Sequence, residues 1–372
     1  MEAKLALGDL YVATSARPTS LFCSTSRSTP GDAEQIACSP GYSDDCAECC
    51  PQWDRRLGRD ANLDPETGGV VAPISGVAQR PALPGYPECC HGPPRSGRLR
   101  AAFTAWATAA WPNLVDEQVC VDGKTVRGSR DGDNAPIHLV SAFAGQARWV
   151  LAQQAVAEKS NEITAIPDLL SLLDLEGAVV SIDAMGCQKA IAQTIIEGRA
   201  DYVLALKDNH PTLSAAVQLW LDTEVGRGRW PILETVEKDH GRIEIRRSAL
   251  SSAIDWLDAK PEWAGLQAVG RVESTRLMGE DVSTEYRYFL CSFIDPHRFA
   301  ATVRRHWGIE NQQHWVLDVQ FGEDACQTRR DHSAENLALI RRVALNVLRH
   351  NGPVRDRLRQ RKLRAALKDN YR

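Results

Sequence analysis

Three acidic residues stand out for the company they keep. Asp122 lies in Val-Asp-Gly-Lys-Thr (121–125), Asp183 in Ser-Ile-Asp-Ala-Met-Gly (181–186) and Glu310 in His-Trp-Gly-Ile-Glu-Asn (306–311). The first two end apolar, β-branched runs, and the third falls in an amphipathic helical pattern. Carboxylates rarely enter such surroundings without a partner. Three of them delivered this way can hold two divalent cations. Paired cations suit in-line displacement at phosphodiesters, one activating the attacking oxygen and the other stabilising the leaving one. Each acid also has an ordinary reading: a turn aspartate before Gly123, a helix N-cap at Asp183, a solvated helix face at Glu310.

The neighbours refine the chemistry. Gly123 permits close backbone approach and Lys124 offers a phosphate contact beside Asp122. His306 and His314 lie four residues before and after Glu310, so a straight helix puts all three on one face. That spacing could serve a mononuclear zinc hydrolase. Beside a hard-cation carboxylate, however, the imidazoles read better as supporting groups or phosphate contacts. Trp307, Ile309, Trp315 and Val316 are expected to bury the rest of this helix. Asp318, Glu323 and Asp324 read as acidic surface, with Asp324 as a reserve metal or orienting group. Lys207, Asn209 and His210, between a strand and a helix, are candidate phosphate contacts or simply an exposed, capped loop.

The elements that must position these groups are legible from residue 98 onward. Residues 98–111 are helical, with Leu99, Phe103, Trp106 and Ala110 on one side. Strands are expected at 117–122 (ending at Asp122), 137–144 and 148–157. Next come a helix at 161–174, a fully apolar strand at 177–183, a helix at 187–198 and a strand at 201–206. Three strands followed by helix, strand, helix, strand is the order of a ribonuclease-H-like α/β domain, in which antiparallel strands precede parallel ones. A helix at 211–223 and alternating runs near 230–237, 242–250, 266–277 and 284–292 read as a β-rich insertion over about 211–295. A helix at 297–317 then returns Glu310 to the domain, which ends near 350.

The flanks differ from this body. Residues 1–97 are rich in Pro, Gly, Ser, Thr and Cys and lack apolar periodicity, so they are expected to be largely irregular. They hold seven of the eleven cysteines. Cys46-x-x-Cys49 with Cys89, Cys90 and His91 could suggest zinc, but the gap is longer than compact zinc modules use. The remaining Cys120, Cys187, Cys291 and Cys326 sit in apolar context, as reduced, buried thiols would. Residues 351–372 carry eight basic residues against two acidic ones, a phosphate-binding tail or a solvated helix, on a chain whose net charge is −4. No run approaches the ~18–20 apolar residues of a membrane span. The N-terminus has no basic-then-apolar signal, so a cytoplasmic protein is expected.

With these residues in view, the chain resembles the bacterial insertion-sequence transposases of the ISAs-one type, which include the H-repeat-associated proteins, within the wider DDE transposases. The resemblance rests on Cys-Val-Asp-Gly-Lys-Thr-Val-Arg-Gly-Ser (120–129), His-Leu-Val-Ser-Ala-Phe (138–143), Lys-Ser-Asn-Glu-Ile (159–163), Ile-Asp-Ala-Met-Gly-Cys-Gln (182–188), Asp-Tyr-Val-Leu-Ala-Leu-Lys (201–207) and the segment 306–319. It covers roughly 98–350. It implies a ribonuclease-H-like catalytic domain with Asp122, Asp183 and Glu310 as metal ligands. The implied ions are Mg²⁺ or Mn²⁺, two of them. The implied reaction is hydrolysis at the element's terminal repeat, then attack of the freed 3′-hydroxyl on target DNA, with a homodimer pairing two ends. The wider superfamily places Tyr, Arg and Lys seven before, four before and seven after its Glu, where this chain has Val303, His306 and Leu317. His306 is the expected substitute for that Arg, with Arg304 and Arg305 adjacent. Residues 1–97 do not resemble the family's helical N-terminal region, and an out-of-frame reading of GC-rich DNA would give such a composition. Two rival readings follow: a nuclease without strand transfer, and an inactive DNA-binding remnant.

Overall fold

Among the described residues, the apolar runs assemble into a nine-stranded mixed sheet with helices packed on it. The computed structural model describes residues 96–132, 134–156, 162–228, 231–239, 241–351 and 355–367. The segment 1–97, with its cysteines and the frameshift reading, lies outside these residues except for Ser96 and Gly97, which open the first helix.

Helix α1 (Ser96–Ala110) precedes three antiparallel strands, β1 (Gln118–Thr125), β2 (His138–Ala144) and β3 (Trp149–Val156). Helix α2 (Glu162–Leu170) leads to β4 (Val179–Ile182), and α3 (Lys189–Glu197) leads to β5 (Asp201–Leu206). β4 lies between β1 and β5, parallel to both. After α4 (Pro211–Gly226) come β6 (Leu233–Asp239), β7 (Arg242–Ser251), β8 (Ala268–Met278) and β9 (Asp281–Cys291). These four strands do not stand apart. β9 pairs antiparallel with β5, so the sheet runs β3-β2-β1-β4-β5-β9-β8-β7-β6.

Burial explains the central strands. All four positions of β4 are buried, as a parallel strand covered on both faces requires. Along β5, Tyr202, Leu204 and Leu206 join the larger core, while Val203 and Ala205 join a second core with Phe289 and Phe299. Phe299 belongs to α5 (Pro296–Gly308), which crosses one face of the sheet, packing on β1, β4 and β5 and also on β6 and β7. Asp295 caps this helix by accepting from His297 N (2.8 Å) and Arg298 N (3.1 Å), and Pro296 suits its first turn. The helix seats closely because β8 has Gly270 there: a Cβ would come within 2.3 Å of the Phe299 ring.

The single helix expected at 297–317 is interrupted. α5 gives way to a π turn at Ile309–His314, followed by α6 (Trp315–Phe321). Trp315 N donates to Glu310 O, five residues back, which is the π pattern and is frequent at functional sites. The interruption also changes what the helix buries. Ile309 is buried, but Trp307 (46% exposed) and Trp315 (55%) face outward, against expectation. α6 ends at Gly322, whose φ of +62° is the left-handed termination that glycine favours.

α7 (Ser333–His350) packs on α1 and on the edge strand β3, where the Asn346 side chain pairs with both Val150 N and Val150 O at 2.9 Å. This blunts an otherwise open edge. In the basic tail, α8 (Leu358–Leu367) docks on α7, with Arg361 donating to Leu348 O and Lys362 to Gln320 O. Part of the tail's charge therefore serves helix carbonyls, while Arg355, Arg357 and Arg359 stay exposed. Of the described cysteines, Cys120, Cys187 and Cys291 are buried and Cys326 is half-buried; all four are free thiols. No helix among the described residues is long and apolar enough to cross a membrane.

Candidate active site

Parallel pairing brings two acids together. Val121 on β1 is level with Ile182 on β4, so Asp122 and Asp183 come next on adjacent strands, at one end of the sheet. Asp122 does not end its strand: β1 continues to Thr125, and Asp122 is held in the ladder opposite Ser141. Asp183 follows the last residue of β4. Its carboxylate accepts from Met185 N (3.1 Å) and Gly186 N (3.2 Å), closing a local turn rather than capping α3, whose N-cap is Gln188. Gly186 lets this turn fold back, since a Cβ would meet Ile182 at 2.3 Å.

The third acid arrives on the π turn. Glu310 extends outward, its side chain 53% exposed, while His314 below it is buried. His314 Nδ1 lies 3.0 Å from Glu310 Oε2 and 3.6 Å from Asp122 Oδ2. Potential ligand atoms of Asp122, Glu310 and His314 all fall within 4.8 Å of one another. Asp183 lines the same cleft but stands outside that close set.

Crowded like charge marks this end of the sheet. Burial, reinforced by the charges of Asp183 and Glu310, pushes the Asp122 carboxyl up to about 6, against the opposing pull of His314 and the Gly123 N–H. Glu310 is held below the usual carboxylate range, first by its hydrogen bond with His314 and further by the charge of Lys124. A cation bound among these groups would relieve the repulsion. His306 is different: Nδ1 meets Ser181 Oγ at 3.0 Å, and burial with the nearby Arg287 pushes the ring down to about 4. It is neutral at pH 7.

The acids open onto a cleft of about 450 Å³ walled by Val203, Ala205, Phe289 and Val303, with Lys207 and Arg287 also lining it. The Arg287 guanidinium lies 5.0 Å from the centre of the Trp307 ring, which also faces the cleft. Sequence reasoning missed both. Arg287 is one of many strand residues of the β-rich stretch, with nothing in its local pattern to link it to the acids, and Trp307 was read as core.

Several expected phosphate contacts are committed elsewhere. Lys124 is 8% exposed and ion-paired with Asp318 (2.8 Å) and Asp324 (3.2 Å). Asp324 in turn accepts from Arg127 N at 3.2 Å, so it orients the β1 end rather than joining the acid cluster. Arg304 forms a two-pronged pair with Glu237 on β6 (3.0 and 2.8 Å). Arg305 lies beside Asp116, Glu117 and Arg298 in a separate pocket from the acids. Asn209 donates to Ala184 O at 2.6 Å and braces the turn after Asp183. His314, at 3% exposure, is beyond the reach of a phosphate backbone. Lys207 remains exposed at the cleft. Glu323, read as surface, is fully buried against Arg342.

Comparison with known proteins adds to this geometry. Residues 114–347 match the family model described as a transposase DDE domain. YncI of Escherichia coli O157:H7, which carries a transposase name, is 39% identical over 277 residues, covering 72% of this chain and 71% of its own. YhhI of E. coli K12, named for its H-repeat association and also as a transposase, is 35% identical, covering 74% and 75%. An uncharacterized protein from the dhlA 3′ region of Xanthobacter autotrophicus is 49% identical over 196 residues, covering 52% and 66%. Among solved structures, the synaptic complex of piggyBac transposase with hairpin DNA aligns over 69% of this chain and 53% of that one, with 11% identity and a TM-score of 0.40, too slight to argue from.

Proposed function

The chain belongs to the family of transposases with a DDE domain, and from that premise we propose that it cleaves DNA at insertion-sequence ends and joins them to target DNA on a ribonuclease-H-like domain. The observation that carries the reading is the convergence of Asp122 from β1, the adjacent Asp183 from β4 and Glu310 from the π turn on one cleft. The donor set fits hard divalent cations, because it is mainly carboxylate oxygen. Asp122, Asp183 and Glu310 would hold two ions, Mg²⁺ or Mn²⁺. Bound there, the ions would activate the attacking oxygen and offset charge on the phosphate and leaving oxygen.

The chain's own groups account for the rest. Lys207 lines the cleft, where its positive charge would anchor the DNA backbone and make binding salt-dependent, while Arg287 beside it is held in a two-pronged pair with Glu285 (2.9 and 3.0 Å). Neutral His306, hydrogen-bonded to Ser181, adds no charge beside β4. Val203, Ala205, Phe289 and Val303 keep the wall beside the acids dry, which strengthens the electrostatic contacts made there. Joining two ends would require two copies of the chain.

The test is cleavage and joining of a DNA fragment bearing the element's terminal repeat, with Mg²⁺ or Mn²⁺, comparing the full chain with Asp183→Asn. Metal-dependent joining that vanishes in the variant is expected. Cleavage without joining would reduce the protein to a nuclease. Inactivity of a folded chain, or an unaffected variant, would overturn the proposal.

A further inference from the structure

Resting on that metal-dependent reading, we infer that His314 is itself a cation ligand. Asp122, Glu310 and the Nδ1 of His314 form one mixed nitrogen–oxygen site, chemically unlike a site made of carboxylates alone.

Three observations lead there. First, the ring is 3% exposed, so DNA cannot reach it, and a polar ring is costly to bury without a use for its nitrogens. Second, Nδ1 is turned to the two carboxylates, 3.0 Å from Glu310 and 3.6 Å from Asp122, while Nε2 is buried with no hydrogen-bond partner among the described residues. The ring is therefore oriented by what lies at Nδ1. Between two carboxylates, that nitrogen stands where one bound cation would meet all three groups. Third, the ligand atoms lie within 4.8 Å of one another, against the ~4.2 Å that two bonds of about 2.1 Å span. Closing the difference takes only a small movement, and Glu310, the exposed member, can make it.

The consequence is selectivity. Imidazole suits first-row transition ions, whereas Mg²⁺ strongly prefers oxygen. The site at His314 should favour Mn²⁺ over Mg²⁺. The other imidazole at the cleft, His306, turns its Nδ1 to the Ser181 hydroxyl instead.

The experiment is pulsed electron paramagnetic resonance of the full chain with substoichiometric Mn²⁺ and no DNA, read for nitrogen modulation from a bound imidazole. The wild type should show it, and feeding ¹⁵N-histidine should replace the pattern, which identifies the ring without any substitution. His314→Gln should abolish the modulation and weaken Mn²⁺ binding by about tenfold or more, the least that loss of even a supporting group costs. His306→Gln should leave the modulation intact. Mn²⁺ bound with oxygen ligands only, or a nitrogen pattern that survives in His314→Gln, would overturn the inference while leaving the carboxylate reading standing. No Mn²⁺ binding by the folded wild type would remove both.

Discussion

The buried pair of Arg342 and Glu323 offers a sharp quantitative test of how this end of the molecule is built. Both side chains are fully inaccessible; one Arg342 nitrogen donates to Glu323 Oε1 at 2.7 Å and to Ala338 O at 2.9 Å. Among the described residues Glu323 Oε2 has no partner, so the carboxylate depends there on Arg342. In Arg342→Leu it would be left buried and uncompensated, which typically costs about 3–5 kcal/mol. Neither side chain reaches solvent, so no water can take the place of Arg342.

Urea denaturation followed by tryptophan fluorescence reads this cost, and Arg342→Leu should lose about 3–5 kcal/mol. The double variant Arg342→Met with Glu323→Leu should lie near the wild type, because removing both partners leaves no stranded charge. A single-variant cost below about 1 kcal/mol, or a double variant no more stable than the single one, would refute the claim that this ion pair is dry and mutually dependent.

Other expectations follow from the same geometry. Lys124→Met should cost less, about 1–2 kcal/mol by denaturation, because Asp318 and Asp324 are 33% and 25% exposed and can rehydrate. Gly128→Ala should destabilise by about 2–3 kcal/mol, since a Cβ there lies 2.2 Å from Cys326 O and 2.6 Å from Asp324 O and only backbone movement can relieve it; an unchanged melting temperature would contradict this packing. His306, pushed down to about 4, stays neutral where an unfolded histidine protonates. Stability should therefore fall as pH drops from about 6.5 toward 4, by up to about 2 kcal/mol at pH 5, and His306→Gln should flatten that part of the profile.

Much of the architecture was legible because apolar runs and their order carry topology. The strands containing Asp122 and preceding Asp183 read as separate apolar segments, and parallel pairing through a crossover makes such segments neighbours. What escaped was whatever depends on partners distant in sequence. Asp318, Glu323 and Asp324 look like an acidic surface when read locally, yet their partners are Lys124 and Arg342, which only the folded chain brings near. The face of the last helix was misjudged for another reason. A 3.6-residue period assigns Trp307 and Trp315 to the buried side, but the π turn between them breaks that period and turns both outward. The same break separates the roles of two histidines that spacing had treated as equals: His306 meets Ser181, and His314 meets the acids.

The π turn also bears on how the acids are held before any cation arrives. A wide turn is a poor anchor by itself, since its hydrogen bonding is less favourable than that of an α-helix. Here it is pinned from outside its own segment. Arg349 on α7 donates to Gln312 O within the turn. Just beyond it, Asp318 on α6 is tied to Lys124 of β1, and Glu323 to Arg342. These bonds fasten the turn to the strand that carries Asp122, so the spacing between Glu310 and Asp122 is set by α7 and β1 rather than by the propensity of residues 309–314. That arrangement leaves one soft coordinate, the exposed side chain of Glu310, beside Asp122 fixed in the sheet and Asp183 fixed in the turn that follows β4. A site with two fixed acids and one adjustable acid can gather a cation at small reorganisation cost, because most of the ordering entropy is already spent in folding.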